Sequence, residues 1–135
     1  MKKPQEILQK MLENDHFTRL LGLSVDEIGE GTCRLHYVVK PEMLNGFGTI
    51  HGGALFSAAD SAFAFACNSH GRLSVALDVS ITFTKAARVG EVLSVEAKEL
   101  YLGNKTSVYE VITRNEKREI VAIFKGTAYR TGEIL

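Results

Sequence analysis

The chain has 135 residues, 45% of them hydrophobic and 24% charged, which suits one ordinary globular domain, residues 1–135, whose core needs neither disulfides nor a structural metal. Sixteen basic residues balance sixteen acidic ones, so there is no basic stripe of the kind nucleic acid requires. No apolar run reaches the ~18 residues of a membrane span, and the start MKKPQEILQKMLENDHF is amphipathic and contains acids where a secretion signal is continuously apolar; no nucleic-acid or membrane partner and a cytoplasmic location are expected.

In chain order, Pro4 suits a first helical position, and Ile7, Leu8, Met11 and Leu12 recur at helical spacing, predicting a short amphipathic helix to about Asn14. HFTRLLG adds a turn or two that stops at Gly22, so residues 1–21 form an N-terminal helical segment. Residues 23–39 then alternate around Gly29–Gly31 and predict a hairpin. Pro41, Asn45, Gly46 and Gly48 mark a loop over 40–50, and residues 52 to about 69 form the one long helix, closed by NSHG with Gly71 at a left-handed C′ position and His70 near the negative end of the dipole. Strands follow at about 73–84, 92–102, 106–114 and 119–129, joined by the short turns of an antiparallel meander. In the first of these, Leu73, Val75, Leu77, Val79, Ile81 and Phe83 alternate with polar residues and are expected to share one core face. Ala54, Ala58, Ala59, Ala62, Ala64 and Ala66 keep the long helix thin, so a curved sheet can wrap it: an α+β chain, one helix inside an antiparallel sheet.

Asp60 lies in the middle of that apolar helix. A buried carboxylate is costly unless protonated or held by polar neighbours, and such groups are often functional. It is either a structural acid or a catalytic one, and a catalytic Asp60 acts as general base on water or attacks directly to form an anhydride. Gly52 and Gly53 stand where the helix begins; they either let its end pack tightly or leave the first N–H groups open to a ligand oxygen at the positive end of the dipole. Gly53 and Asp60 are seven residues apart, on nearly one face but roughly 10 Å apart along the axis. One carbonyl cannot touch both, so the acid must come from a second helix, and a two-fold axis supplies it. The active site is therefore expected between subunits.

Asn45 sits in an Asn-Gly turn signal, and His51 precedes the helix, where it acts as a base only if a neutral nitrogen reaches the water. Cys33 and Cys67 read as buried small hydrophobes without a CxxC pair, Cys67 and His51 lie too far apart for a nucleophile pair, and the four histidines show no metal-ligand spacing, so no metal is expected.

The run NGFGTIHGG from Asn45, with Asp60 seven residues past its last Gly, then SAFAFACN and DVSITFTKAARVGE, resembles the hotdog-fold acyl-CoA thioesterases, in particular the PaaI type of phenylacetate degradation, from about residue 15 onward. The resemblance implies a sheet wrapped round a central helix, a dimer that usually pairs into a homotetramer, and hydrolysis of acyl-CoA thioesters without a cofactor. It gives Asn45 the part of holding the attacking water or orienting the carboxylate, and His51 that of positioning the thioester. By the same analogy the pantetheine arm runs along Val79, Ser80, Ile81 and Thr82, Lys85 and Arg88 meet the nucleotide phosphates, and Phe47, Leu55, Phe56 and the N-terminal helix shape the acyl site, for an aromatic acyl group such as phenylacetyl or a medium aliphatic chain. Certain relatives carry Ser or Thr near the position of Ala76, so a polar helper is missing there. Two other classes stay open: a hotdog hydratase or dehydratase, which needs an acid and a histidine meeting at the α and β carbons, and a non-catalytic acyl-CoA binding module, which tolerates loss of Asp60.

Overall fold

The computed structural model describes residues 2–135. Two short helices lead in, α1 (Pro4–Leu12) and α2 (His16–Leu21). Asp15 caps α2 by accepting the Thr18 N–H, and Gly22 ends it in the left-handed region at φ 70. The hairpin β1 (Ser24–Gly29) and β2 (Thr32–Val38) follows, then a 3-10 turn at Pro41–Met43 and the long helix α3 (Gly52–Asn68). The chain closes with β3 (Arg72–Phe83), β4 (Val92–Leu102), β5 (Thr106–Arg114) and β6 (Ile120–Ile134), the last running five residues past its expected end at 129. All six strands form one antiparallel sheet in the order β1-β2-β4-β5-β6-β3. The meander is β4-β5-β6, whereas β3 crosses to the far side of β6 and becomes an edge strand.

The sheet closes round α3, which packs against β2, β3, β4, β5 and β6. Ala58, Ala59, Ala62 and Ala66 are fully buried, and the absence of larger side chains there lets the strands approach. The bulk comes from Phe63, whose ring lies 5.6 Å from Tyr109 and 5.7 Å from Phe124. Gly126 makes room for it: a Cβ there would sit 2.8 Å from the Phe63 ring. Cys33 and Cys67 are free and buried. Beyond the helix end, His70 pairs with Glu99 at 2.7 Å, and Glu99 also accepts the Tyr109 hydroxyl at 2.6 Å. Gly71 is left-handed (φ 91), but the C-cap is Ser69, which puts Gly71 one residue beyond the C′ position expected of it. Among the described residues no helix is long and apolar enough to cross a membrane.

The single core face expected for β3 is broken. A bulge at Leu77 shifts the register, so that Ala76 pairs with Ala128 and Asp78 with Thr127. Beyond it, Val79 and Ile81 pair with the buried Gly126 and Phe124 and face α3. Before it, Val75 pairs with Tyr129 on the outer face, and both are exposed. An extra residue reverses the alternation, and the alternating letters carry no sign of it.

Candidate active site

The loop before α3 is built by Asn45. Its Oδ1 accepts the N–H of Phe47 at 2.9 Å and of Thr49 at 3.2 Å, and its Nδ2 donates to Thr49 Oγ1 at 3.1 Å. The backbone adds Asn45 N–H to Thr49 O at 2.8 Å. Asn45 is therefore the internal brace of residues 45–49. That brace holds Phe47 at the loop tip, 92% exposed.

His51 is the N-cap of α3: its Nδ1 accepts the Gly53 N–H at 2.8 Å. The Ala54 and Leu55 N–H groups both donate to His51 O, at 2.9 and 3.3 Å. Among the described residues this leaves Gly52 as the helix-start amide with no hydrogen-bond partner. The pair of open amides expected at Gly52 and Gly53 is thus corrected to one, because the side chain of the preceding residue satisfies the second. Gly52 also fits closely: a Cβ there would lie 2.9 Å from the Phe83 ring. Its cleft, about 440 Å³, is lined by Asn45, Ile50, Gly52, Leu55, Phe83, Thr84, Lys85 and Ala86.

Asp60 lies two turns along α3, half-buried, and among the described residues no hydrogen bond or ion pair reaches it. Desolvation pushes its carboxyl above the ordinary carboxylate range. It does not line the cleft at the start of its own helix, as the two-turn separation requires. Its neighbour Ser61 lies 3.3 Å from Thr18 Oγ1, which donates to the Asp15 carboxylate at 2.7 Å, so α2 is tied to α3 beside the acid.

The structure gathers Asn45, Gly52 and Lys85 round one cleft and leaves other expected residues outside it. Ser80 and Thr82 are exposed on the outer face of β3, opposite Lys125 and Ile123. Val79 and Ile81 are half-buried under α3, and Phe56 packs on Phe124 at 5.6 Å. Lys85 forms an ion pair with Glu119 at 3.4 Å, so its charge is partly matched before any phosphate arrives. Arg88 is exposed, held through its backbone N–H to Glu91 at 2.6 Å. The wall of Ile50, Thr84 and Ala86 was not expected, because their letters carry no polar or aromatic signal. Both thiols are pushed up to about 12 by burial, which leaves neither with thiolate character near neutral pH. No group of three or more His, Cys, Asp or Glu side chains converges as a metal site among the described residues.

Residues 47–122 match the family described as the thioesterase superfamily. The sequence is 38% identical to the acyl-coenzyme A thioesterase PaaI of Escherichia coli K12, across 90% of this chain and 87% of that one. The solved structure of the E. coli PaaI protein from the phenylacetic acid degradation operon superposes with a TM-score of 0.95 at 36% identity, covering 97% of this chain and 95% of that one. A hypothetical thioesterase protein of Streptococcus pneumoniae TIGR4, solved with coenzyme A, superposes at 0.86 with 25% identity over 92% and 99% of the two chains.

Proposed function

The chain belongs to the thioesterase superfamily as a hotdog-fold member of the PaaI type, and from that premise we propose that it hydrolyses acyl-CoA thioesters to a free acid and CoA. The observation that carries the proposal is the pairing, on one helix, of an unpartnered amide at a residue lining a cleft with an unpartnered half-buried carboxylate two turns on. The thioester oxygen docks on the Gly52 N–H, where the helix dipole and the amide both favour the negative charge that builds as water adds. Such a donor in a dry site lowers the barrier by roughly 3–4 kcal/mol.

Asp60 of the partner subunit supplies the carboxylate, because Asp60 of the same helix lies too far along the axis. The carboxylate takes a proton from water while the water oxygen bonds to the acyl carbon, the C–S bond breaks, and the proton passes to the departing thiolate. If Asp60 attacks the acyl carbon directly, the C–S bond breaks, the thiolate takes a proton from water and an anhydride forms, which water then opens; ¹⁸O from solvent found in Asp60 after a single turnover marks this route, opened at the Asp60 carbonyl. A dimer joined at β3 fits this arrangement. That strand is an edge, and Val75, Leu77 and Phe83 on it are 48%, 61% and 51% exposed, apolar surface that an edge strand does not leave in water without a partner. The exposed Phe47 and half-buried Phe56 suit an aromatic or medium-chain acyl group.

The test is release of free thiol from phenylacetyl-CoA, 4-hydroxybenzoyl-CoA, hexanoyl-CoA and crotonyl-CoA by the wild type and by Asp60→Asn. The expected outcome is release that collapses in the variant. Equal release by both proteins removes Asp60 from the mechanism; no release from any substrate leaves a binding module, and consumption of crotonyl-CoA without thiol points to hydration.

A further inference from the structure

The outer face of the sheet carries a second cleft, which the proposed hydrolysis does not use. Leu35, Val95 and Val111 are buried in the core with the α3 alanines, so strand alternation turns Arg34, Ser94, Glu96, Ile112 and Arg114 to the opposite side. Two rungs of the ladder gather them: Arg34 pairs with Glu96 and Glu96 with Ile112, while Ser94 pairs with Arg114. With Arg118 from the β5–β6 turn, they line one cleft of about 110 Å³. Three guanidiniums and one carboxylate thus share roughly the volume of three or four waters. Among the described residues no ion pair joins Glu96 to any of the three arginines. Arg34 instead meets Glu27 at 3.3 Å, an exposed contact of little strength. Opposite charges that line one cleft and stay apart leave room for a group that bridges them.

The turn presents Arg118 at a cost. Its φ of 65 makes it the one non-glycine residue in the left-handed region among the described residues, a strain that glycine would avoid. The buried Asn115 holds the turn in that shape: its Oδ1 accepts the N–H groups of Lys117 and Glu119, each at 3.0 Å, and its carbonyl accepts the Arg118 N–H at 3.0 Å. Arg114 Nη1 reaches the Arg118 carbonyl at 3.5 Å, which ties the strand arginine to the turn. We infer that this cleft binds inorganic phosphate, the arginines pairing with its oxygens and Glu96 accepting its P–O–H. Guanidiniums match a tetrahedral oxyanion through charge-assisted forks, and a carboxylate among them repels an anion that has no proton to give. Orthophosphate keeps at least one proton near neutral pH and donates it to Glu96; sulfate keeps none. The volume admits one such ion and excludes a whole nucleotide.

Titration of the full chain with sodium phosphate, followed by calorimetry and by the ³¹P linewidth, tests this against sodium sulfate and sodium chloride at matched ionic strength. The expected results are saturable binding of phosphate alone by the wild type, affinity weakened roughly tenfold or more in Arg118→Gly and in Arg34→Gln, and sulfate binding gained in Glu96→Gln. Because Arg118→Gly relieves the left-handed backbone, its Tm without phosphate should not fall below that of the wild type, so weakened binding there is not loss of fold. Phosphate binding unchanged in both arginine variants, sulfate bound by the wild type as tightly as phosphate, or no saturable response beyond the chloride control would overturn the inference. Displacement of phosphate by CoA and not by 3′-dephospho-CoA would overturn the free ion as occupant and give the cleft to the CoA 3′-phosphate. Each reading is of binding, not of thiol release, so the inference stands or falls apart from the thioesterase reading above.

Discussion

At the level of single residues, Asp60 carries opposed demands. Burial raises its pKa, while both roles proposed for it need it ionised. The kcat/KM profile is therefore expected to rise with pH through a midpoint above the ordinary carboxylate range, and an acid limb at ordinary carboxylate values would mean that the ionising group is elsewhere. The same shift has a sign for stability. A carboxyl whose folded pKa exceeds the unfolded value of about 3.9 holds its proton more tightly when folded, so stability is lost as pH rises from that value through the folded pKa. Asp60→Asn lacks this loss. It should melt above the wild type near neutral pH and level with it in acid, where both side chains are neutral; equal melting at both values would show that Asp60 finds a compensating partner in solution. The residue itself was legible as an acid in an apolar helix, and Gly52 as a helix-start amide. The spent state of Gly53 was not, because a histidine at an N-cap has no fixed tautomer until its neighbours are placed. For Asn45 the two readings of an Asn-Gly loop differ only in where its amide points, and it points inward, to Thr49 and the Phe47 N–H.

Among elements, α3 was legible nearly to its ends, since an alanine stripe with flanking glycines admits few alternatives, whereas the bulge in β3 was hidden because an inserted residue leaves the alternation of letters intact. The helix can approach the sheet so closely only because β6 yields space at Gly126. Gly126→Ala drives a methyl to 2.8 Å from the Phe63 ring, in a cluster where Phe63 also packs on Tyr109 and Phe124, and overpacking of this kind costs about 1–3 kcal/mol. Urea denaturation should show that loss as a lower midpoint at unchanged slope. The loop ahead of the helix gives a second test. Asn45→Asp keeps an oxygen to accept the Phe47 and Thr49 N–H groups and Asn45→Ala removes it, each bond worth about 1 kcal/mol; we expect KM to rise roughly tenfold in the alanine variant and little in the aspartate one. A collapse of kcat with unchanged KM in both would instead make Asn45 a direct participant in the chemistry.

For the molecule as a whole, the decisive fact is that one α3 cannot supply both the amide and the acid to one thioester. Gly52 occupies the first position of the helix, where proline is tolerated because its missing N–H has no partner within the helix, and His51 before it already has the extended backbone (φ −68, ψ 137) that a following proline demands. The proline Cβ meets the far end of the Phe83 ring, on a side chain that is half exposed. Gly52→Pro therefore removes the one open helix-start amide while leaving the helix in place, and its kcat should fall by roughly 10²- to 10³-fold. Asp60→Asn and Gly52→Pro are each defective in different halves of the site. If the halves come from different subunits, a mixed dimer carries one site with both defects and one with neither, so unfolding and refolding the two variants together at equal concentration should restore about a quarter of wild-type thiol release, half the dimers being mixed and each having one intact site of two. If amide and acid met within one chain, every site in the mixture would be defective and activity would stay at the level of the separate variants. The same experiment repeated with Leu77→Lys in both chains, which charges the exposed apolar edge of β3, should abolish the recovery only if that edge is where the subunits join.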